Sequence, residues 1–288
     1  MVNCLQRLSI CCSMRMPSVV LILLAGGCVS RSDPAGRFAE SAVALASASS
    51  PVTTFHPSDP DHFSFGVVGD LHIRSANTLL FRRMLSMAAD EGDGLFIVLG
   101  DIVDQGDRSD VVAYRQTIAE SGWERRVLSV IGNHDVFGDG WRPFLELNGP
   151  SHWMISVGNS EFIALDTADG SVHPAEVTWL EDQLAKGKAR HRFLLSHYPP
   201  RVAGQVTYLR LADEQEAIRL MALASRGGVH GWLSAHYHSY VLDQLEGVTY
   251  LVAGGGGGRR LPPLLQNFFV QVVVDGERVE YRVREVRG

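Results

Sequence analysis

The sequence predicts an α/β fold, and two patterns after His62 carry that prediction. Short apolar runs rich in β-forming residues recur along the chain, for example "FSFGVVGD", "LFIVLGD" and "RFLLSHYP", and segments with helical spacing lie between several of them. The last segment, "FFVQVVVDGERVEYRVREV", alternates around an Asp-Gly turn at Asp275 and Gly276, which is typical of a β-hairpin. The alternation favours an α/β fold, and the hairpin indicates antiparallel strands added to a second sheet.

Two helices are predicted from the spacing of apolar residues. Those between positions 79 and 87 fall on one helical face, and so do Trp179, Leu180 and Leu184 in the stretch 175–188. The sequence contains neither an internal repeat nor a second domain boundary after residue 62. One domain is therefore predicted over residues 62–288.

Composition narrows the class of protein. With 288 residues, 45% of them hydrophobic and 20% charged, the chain is long enough for a sizeable core and ordinary for a soluble globular protein. A net charge of -6 and the lack of a long Lys/Arg run argue against a nucleic-acid-binding surface. All four cysteines lie in the first 28 residues. The body therefore has no thiolate zinc site or cysteine nucleophile, and any metal there must be held by His, Asp, Glu or Asn.

The N-terminus has the pattern of a processing segment. Arg7 and Arg15 precede an apolar run from Val19 to Ala25 that ends in small residues. This run is shorter than the roughly 20 residues that a spanning helix needs, so residues 1–27 are predicted to be a secretory signal. "LAGGC" resembles the lipobox of bacterial lipoproteins, in which the cysteine becomes the lipidated first residue, here Cys28.

The segment after the lipobox is predicted to be a tether. Residues 28–61 are rich in Ser, Ala, Pro and Asp, which favours a lipidated N-terminus followed by a flexible spacer, with room for one short helix around Phe38 to Ala46. The expected location is extracytoplasmic, with the protein anchored to a membrane.

Polar residues cluster at the ends of five predicted strands. Because ligands bind at the carboxyl ends of strands in open α/β sheets, these five endings are expected to meet at one edge. The residues are Asp70 and His72 in "GDLH", Asp101 and Asp104 in "GDIVD", Asn133 and His134 in "GNHD", His197 in "LLSHYPP", and His236 and His238 in "SAHYH".

The types of these side chains indicate a metal site. Carboxylate, imidazole and amide ligands without thiolate suit Mn, Fe or Zn ions. Two such ions about 3.5–4 Å apart and bridged by a carboxylate bind a phosphoryl oxygen and activate water for in-line attack. The pattern therefore predicts metal-assisted hydrolysis of a phosphate ester.

The five blocks, in this order and at strand ends, resemble the signature of the calcineurin-like metallophosphoesterases. The resemblance covers about residues 63 to 258, and "TWLEDQLA" after "ALDT" is similar to the purple acid phosphatase and cyclic-nucleotide phosphodiesterase branches. It implies a four-layer α/β/β/α sandwich of two mixed sheets with the metal site at the carboxyl edge of the strands. The implied substrate is a small phosphomonoester or phosphodiester.

Carried over by position, the resemblance implies a role for each residue of the blocks. His134 would be the general acid or would stabilise the transition state, and Asp135 would orient it. The implied ligands are Asp70, His72 and His238 for the first ion, Asn133, His197 and His236 for the second, and Asp101 as the bridge between them.

Several neighbouring residues have a structural interpretation. Ala235 stands where the family has glycine, which is tolerated unless that position needs a positive φ. Asp104 is expected to support the loop or a neighbouring histidine, and Asp166 to be structural. The run Gly254 to Gly258 lacks the Lys-Ser/Thr of a P-loop and is expected to form a tight turn near the metal edge. Four histidines are not expected to be ligands, namely His152, His173, His191 and His230.

Other roles remain open at this point. Five residues near the blocks are expected to be ordinary surface residues by default, although one or two could bind a substrate phosphate: Arg74, Tyr198, Arg201, Arg259 and Arg260. There are two alternative functions. One is hydrolysis of a nucleotide pyrophosphate at the same site, and the other is that of a non-catalytic binding lipoprotein on the same scaffold.

Overall fold

The computed structural model describes residues 33–46, 53, 55–202, 209–259, 261 and 266–287. The predicted signal segment 1–27 and the predicted lipidation residue Cys28 lie outside the described residues. Among the residues that are described, every helix is too short or too polar to cross a membrane.

Six helices and eleven strands form the described part of the chain. The helices are α1 (Pro34–Ala46), α2 (Leu79–Asp90), α3 (Arg108–Glu120), α4 (Trp141–Asn148), α5 (Pro174–Lys186) and α6 (Glu214–Arg226). The first five strands are β1 (His62–Val68), β2 (Leu95–Leu99), β3 (Val127–Val130), β4 (Trp153–Val157) and β5 (Ser160–Ala164). The others are β6 (His191–Leu195), β7 (Gly231–Ser234), β8 (Tyr240–Leu245), β9 (Val248–Ala253), β10 (Asn267–Asp275) and β11 (Arg278–Val286).

The strands form two mixed sheets. One has the order β11-β10-β1-β2-β3, and the other has the order β4-β5-β6-β7-β9-β8. Strands β1, β2 and β3 are parallel to one another, as are β5, β6, β7 and β9, whereas the remaining pairs are antiparallel. The carboxyl ends of the parallel strands therefore meet at one edge of each sheet.

Three apolar clusters separate four layers. The central cluster lies between the two sheets and includes Phe65, Phe162 and Phe193, whose rings contact one another. A second cluster packs helices α2, α3 and α4 on the outer face of the first sheet. A third packs α5 and α6 on the outer face of the second sheet. The arrangement is the four-layer α/β/β/α sandwich that the family resemblance implies.

The two helices predicted from spacing are present as α2 and α5. Helix α2 buries Phe81, Met84, Leu85 and Ala88, and leaves Leu79 exposed at its first turn. In α5 the buried residues include Leu180 and Leu184. Each helix uses a narrow apolar stripe, because its opposite face meets water.

The closing hairpin differs from its predicted place. Strands β10 and β11 pair with each other, and β10 lies antiparallel to β1, with Phe65 opposite Val272. The hairpin therefore extends the sheet that opens the domain and not the second sheet. A hairpin pattern specifies its own turn and alternation, but it does not specify which edge it joins.

Residues 34–46, predicted as part of a flexible tether, form a packed helix. Arg37 of α1 is 1% exposed and reaches Asp166 at the end of β5. Ser41 shares hydrogen bonds with Ser151. The Phe38 ring stacks on His152, with 4.7 Å between their centroids. The short helix for which the sequence left room is therefore present as α1, and these contacts bury one face of it.

Candidate metal centre

The residues predicted as ligands lie together where the parallel strands of both sheets end. One group, able to hold a metal ion, consists of Asp70, His72, Asp101 and His238, and a second consists of Asp101, His197 and His236. Within each group one donor atom of every residue lies within 4.8 Å of the others. Asp101 belongs to both groups, which is the arrangement that a bridging carboxylate requires.

The second group is built around the His197 imidazole. Its Nε2 atom lies 2.9 Å from Asn133 Oδ1, 3.3 Å from Asp101 Oδ2 and 3.2 Å from His236 Nδ1. On the other side of the ring, Nδ1 donates to the Leu99 carbonyl at 2.9 Å. A carbonyl only accepts, so Nδ1 carries a proton, and Nε2, which faces Asn133, Asp101 and His236, is the nitrogen that would bind a metal ion. The side chain of His197 is fully buried.

The first group approaches the same carboxylate oxygen, Asp101 Oδ2, from His72 and His238. His238 Nδ1 donates to the Arg259 carbonyl at 2.9 Å, and its Nε2 lies 3.2 Å from His72 Nε2 and 3.6 Å from Asp70 Oδ1. The His72 Nε2 atom is also 3.6 Å from Asp101 Oδ2. Two imidazole nitrogens and two carboxylates therefore point at one small volume.

Asp70 shows that the residues fit a cation. It is fully buried, and within standard hydrogen-bond geometry neither of its side-chain oxygens has a partner in the described part of the chain. Its nearest imidazole nitrogen is His238 Nε2, at 3.6 Å from Oδ1, and a buried carboxylate held this loosely is costly. A metal ion between Asp70, His72 and His238 would supply the missing positive charge.

Protonation in the metal-free site reflects the same missing charge. Burial raises the pKa of Asp70 to about 6, and burial lowers the pKa of His72 to about 4. Burial alone would raise the pKa of Asp101, but the charge of His197 and the other imidazoles lowers it below its usual range. Burial alone would lower the pKa of His197, whereas Asp101 and Asp70 raise it to about 9. Near neutral pH, His197 is therefore the one of these four residues that holds an extra proton, and a metal ion bound at Nε2 would displace it.

The backbone is held in an uncommon conformation at four of the predicted ligands. Asp70, His72, Asp101 and His236 have φ values of 61°, 47°, 51° and 63°. Non-glycine residues rarely adopt this left-handed region, and such residues cluster at functional sites. Ala235, which replaces the family's glycine, does not have a positive φ, so alanine is tolerated there.

The glycine run after β9 packs directly against the ligands. A Cβ atom on Gly254 would lie 2.6 Å from Asp70 Oδ2, and one on Gly258 would lie 2.5 Å from a ring carbon of His238. The backbone N–H of Gly258 donates to the Asp70 carbonyl at 3.0 Å. The run is therefore a close-packed turn at the metal edge, as the sequence predicts.

His134 stands beside the bridge between the two groups. Its backbone N–H donates to Asp101 Oδ1 at 2.8 Å, and its ring Nδ1 donates to the Asp104 carbonyl at 2.7 Å. The ring packs against His72 and Phe137, with centroids 4.5 and 4.7 Å away. Because Nδ1 is committed to a carbonyl, proton exchange at this ring takes place at Nε2.

Asp135 has a different role from the one predicted. Its two carboxylate oxygens accept hydrogen bonds from the backbone N–H groups of Val103 and Gly132, at 3.1 and 2.8 Å. The prediction that Asp135 orients the His134 ring is wrong, because the Asp104 carbonyl does so. Asp135 instead joins the two loops that carry Asp101 and His134.

Asp104 supports a neighbouring histidine, as expected. Its Oδ1 lies 3.3 Å from His72 Nδ1, while its Oδ2 accepts from Nε of Arg74 at 2.8 Å and from Nη2 of the same residue. A third group able to hold a metal contains Asp104, His72 and His134. We assign Asp104 a supporting role because Nε2 of His72 already faces Asp101 and His238.

Two further residues that position the site, Thr167 and Arg37, were not singled out from the sequence. Thr167 Oγ1 accepts from the backbone N–H groups of His197 and Tyr198, at 3.1 and 2.9 Å. The adjacent Asp166 binds Arg37 of α1. Thr167 follows a strand end in "LDT", and this local pattern could have indicated it. No sequence pattern near Arg37 indicates its partner Asp166.

The other histidines lie away from the ligand groups. His152 stacks on Phe38 and contacts Trp179, and His173 accepts from the Ala175 N–H at the start of α5. His191 and His230 contact each other, with 3.4 Å between their Nδ1 atoms. None of the four belongs to a group able to hold a metal ion among the described residues.

The five residues considered for phosphate binding fall in different places. Arg74 and Arg259 line a cavity beside the centre, and Arg201 pairs with Asp243 at 3.1 Å. The Tyr198 ring stacks on His236, with 3.7 Å between centroids. Arg260 lies outside the described residues.

Comparison with known families identifies the chain. Residues 63–240 match the family model of the calcineurin-like phosphoesterases. The chain belongs to the calcineurin-like phosphoesterase family. Calcineurin-like phosphoesterases use a dimetal centre, and the two groups that share Asp101 are the residues that fit such a centre. No curated protein matches the sequence significantly.

Solved structures share the fold at low sequence identity. A dimetal phosphatase from Danio rerio has a TM-score of 0.62 at 15% identity, covering 77% of this chain and 96% of its own. The purple acid phosphatase PPD1 from yellow lupin (Lupinus luteus) seeds has a TM-score of 0.62 at 15% identity over 81% of this chain. This chain spans only 53% of the lupin protein.

A third similar structure has a name that is not enzymatic. GAP50, described as the anchor in the inner membrane complex of Plasmodium, has a TM-score of 0.60 at 16% identity, covering 78% of this chain and 84% of its own. Likeness at such low identity shows the fold alone.

Proposed function

We propose that this calcineurin-like phosphoesterase hydrolyses small phosphomonoesters or phosphodiesters outside the cytoplasm, using two Mn, Fe or Zn ions. The observation that carries the proposal is the position of Asp101. Its carboxylate joins two groups of ligands, and one of its oxygens accepts the backbone N–H of His134. Metal ligands and a proton-carrying ring are thereby fixed relative to one another.

The ligand chemistry supports this choice of metals. Imidazoles, carboxylates and one amide surround the centre, and all four cysteines of the chain precede residue 29. This donor set suits ions of intermediate hardness. Bound there, the ions would neutralise the charge of the phosphoryl oxygens and lower the pKa of water.

The protein's own contribution to the reaction lies chiefly in His134. With Nδ1–H donated to the Asp104 carbonyl, a second proton on Nε2 makes the ring a cation that can donate to a leaving oxygen. After donation the ring is neutral, and Nε2 accepts a proton again. The contact between Asp135 and Gly132 N–H keeps the turn before His134 in place during this exchange.

The test is hydrolysis by protein that has been stripped with chelator and reloaded with one metal at a time. Comparing p-nitrophenyl phosphate with the bis-p-nitrophenyl ester separates monoesterase from diesterase activity, and a panel with a nucleotide pyrophosphate tests the third type of bond. We expect metal-dependent turnover in the native protein and its loss in Asp101→Asn. Metal uptake without turnover of any substrate would favour the non-catalytic binding lipoprotein.

Location is a separate part of the proposal. The lipobox-like "LAGGC" and the short apolar run before it support export and lipidation at Cys28. Fractionation of cells that express the full chain tests this. The native protein should appear in the membrane fraction and Cys28→Ala should leave it, whereas unchanged membrane association of the variant would refute lipid anchoring.

A further inference from the structure

A groove leaves the metal centre on the side of His134. Its first part is a cavity of about 470 Å³, lined by His72, His134 and His238 together with Arg74, Asp104 and Arg259. Three of these residues belong to the centre or stand beside it, so whatever occupies the cavity also touches the reacting group. A cavity of this size lies within the range of roughly 300–1,000 Å³ that is usual for small-molecule sites.

The groove continues into a second cavity of about 400 Å³. Both cavities are lined by His72, Arg74 and Gly257, which makes them neighbours along one path. Away from the centre the lining changes in character. It consists there of apolar side chains and amides with one further cation, namely Leu71, Leu79, Leu80, Asn77, Asn267 and Arg83.

Cations exceed anions along the groove. Three guanidinium groups, those of Arg74, Arg83 and Arg259, line the two cavities, against one carboxylate, that of Asp104. Two metal ions at the centre would add to this positive charge. The surface therefore attracts a molecule with more than one anionic group.

The guanidinium groups keep donors available for a ligand. Arg74 donates to Asp104 only through Nε and Nη2, and Arg83 donates to the Arg287 carbonyl through Nη1. An arginine has five N–H donors, so each retains several. Arg259 is exposed, and no carboxylate in the described part of the chain forms an ion pair with it.

The position of His134 decides which part of a substrate enters this groove. A ring that gives its Nε2 proton to the leaving oxygen must face the leaving group, and His134 lines the first cavity. This step rests on the proposed function. The leaving group consequently extends past Arg74 and Arg259 toward the leucines and amides.

We propose that the groove binds the leaving group of the substrate, and that this group is an organic body carrying a second anion, either a phosphate or a carboxylate. Arg74 and Arg259, which line the cavity next to the centre, bind the second anion, while Leu79, Leu80 and the two asparagines contact the organic body. The class of substrate is thus a phosphate ester whose alcohol portion is itself an acid.

Matched pairs of substrates test this on the metal-loaded protein. Adenosine 3′,5′-bisphosphate is compared with adenosine 5′-monophosphate for a second phosphate, and 3-phosphoglycerate with glycerol 3-phosphate for a carboxylate. We expect kcat/KM to be about tenfold higher for the two-anion member of at least one pair, mainly through KM, because a hydrogen bond to a charged group is being added. The pair with the larger ratio identifies the anion.

The variant Arg259→Gln locates the effect. Its backbone carbonyl still holds His238, while the cation is gone, so the ratio within the favoured pair should fall at least fivefold. Arg278→Gln, at an exposed arginine paired with Asp275, is the matched control and should leave the ratio unchanged. Equal kcat/KM within both pairs, or a ratio that Arg259→Gln does not alter, would overturn the inference.

Failure of the proposed function would look different. It would appear as absence of metal-dependent turnover of both p-nitrophenyl phosphate and the bis-p-nitrophenyl ester, whose leaving group carries no second anion. Equilibrium dialysis of the two adenosine nucleotides against metal-loaded His134→Gln protein then measures the same ratio without catalysis. Tighter binding of the bisphosphate that Arg259→Gln abolishes would support the groove assignment, and equal binding would overturn it.

Discussion

Arg37 donates two hydrogen bonds to Asp166, from Nε to Oδ2 at 2.8 Å and from Nη2 to Oδ1 at 3.1 Å, and both side chains are buried. The same guanidinium also contacts Asp169. Asp166 precedes Thr167, whose hydroxyl holds the backbone of His197. Helix α1 is therefore bound to the loop that positions a predicted ligand of the second ion.

Removing the buried cation should unfold the domain more easily. Arg37→Met leaves Asp166 without its partner, and loss of one member of a buried ion pair costs about 3–5 kcal/mol. Urea unfolding of the metal-free protein measures this. Glu40→Gln, on the same helix in an exposed pair with Arg142, is the control and should cost less than about 1 kcal/mol. Equal small losses for both variants would contradict the packing of α1.

Stability should fall in acid because of His152. Burial lowers the pKa of His152 from 6.5 to about 4, and its Nδ1 has no hydrogen-bond partner in the described part of the chain. As pH falls from 6.5 to about 4, the unfolded chain binds a proton at His152 that the folded chain does not bind. The free energy of unfolding therefore decreases over this pH range. His152→Phe removes the titrating ring but retains the stacking on Phe38.

The measurement is the free energy of unfolding of both proteins between pH 7 and pH 4. The difference between His152→Phe and the native protein should grow in favour of the variant by on the order of 3 kcal/mol as pH falls. Parallel curves would show that the His152 ring is protonated as easily in the folded state as in the unfolded one.

Gly69 and Ala235 should behave as a coupled pair. A Cβ atom on Gly69 would lie 2.2 Å from the Cβ of Ala235, and its next contacts are with Leu99 at 3.3 and 3.4 Å. Gly69→Ala should therefore cost about 1–3 kcal/mol through overpacking. Ala235→Gly in the same chain should recover part of that loss, and a double-mutant cycle with both single variants measures the coupling. Additive effects would rule out the contact.

His134 should affect turnover without affecting metal uptake. His134→Gln removes the Nε2 proton donor, so kcat should fall by about 10²–10⁴-fold, while the amount of bound metal stays constant. The loss should be larger for an alkyl phosphate than for p-nitrophenyl phosphate, because p-nitrophenolate leaves without a proton. His62→Gln, at an exposed ring, is the control. An equal loss for both esters would mean that His134 does not protonate the leaving group.

The parts of the fold that could be predicted are those encoded by local sequence. Alternating strands, the helical spacing in α2 and α5, and polar residues at strand ends are all short-range patterns, and parallel strands bring such endings together. Asp101, His197 and the other predicted ligands could thus be placed at one edge. The positive φ values of four of these residues, and the lack of hydrogen bonds to the Asp70 carboxylate, could not be predicted, since they depend on the packing around the site.

What could not be predicted depends on contacts between distant residues. Arg37 meets Asp166 across 129 positions, and no pattern around either residue indicates the other. Asp135 follows His134 directly, yet its carboxylate reaches Val103 on the neighbouring loop. The closing hairpin likewise pairs with β1, and its alternating sequence pattern does not indicate which strand it pairs with.

The central claim is that Asp101 bridges two metal ions that hydrolyse a phosphate ester. The most direct test is the metal content of chelator-treated and reloaded protein, measured beside its turnover of p-nitrophenyl phosphate and the bis-ester, for the native chain and Asp101→Asn. The account predicts two ions per native chain with turnover that depends on them, and loss of turnover with reduced metal content in Asp101→Asn. A native chain that binds no metal, or an Asp101→Asn variant as active as the native chain, would contradict it.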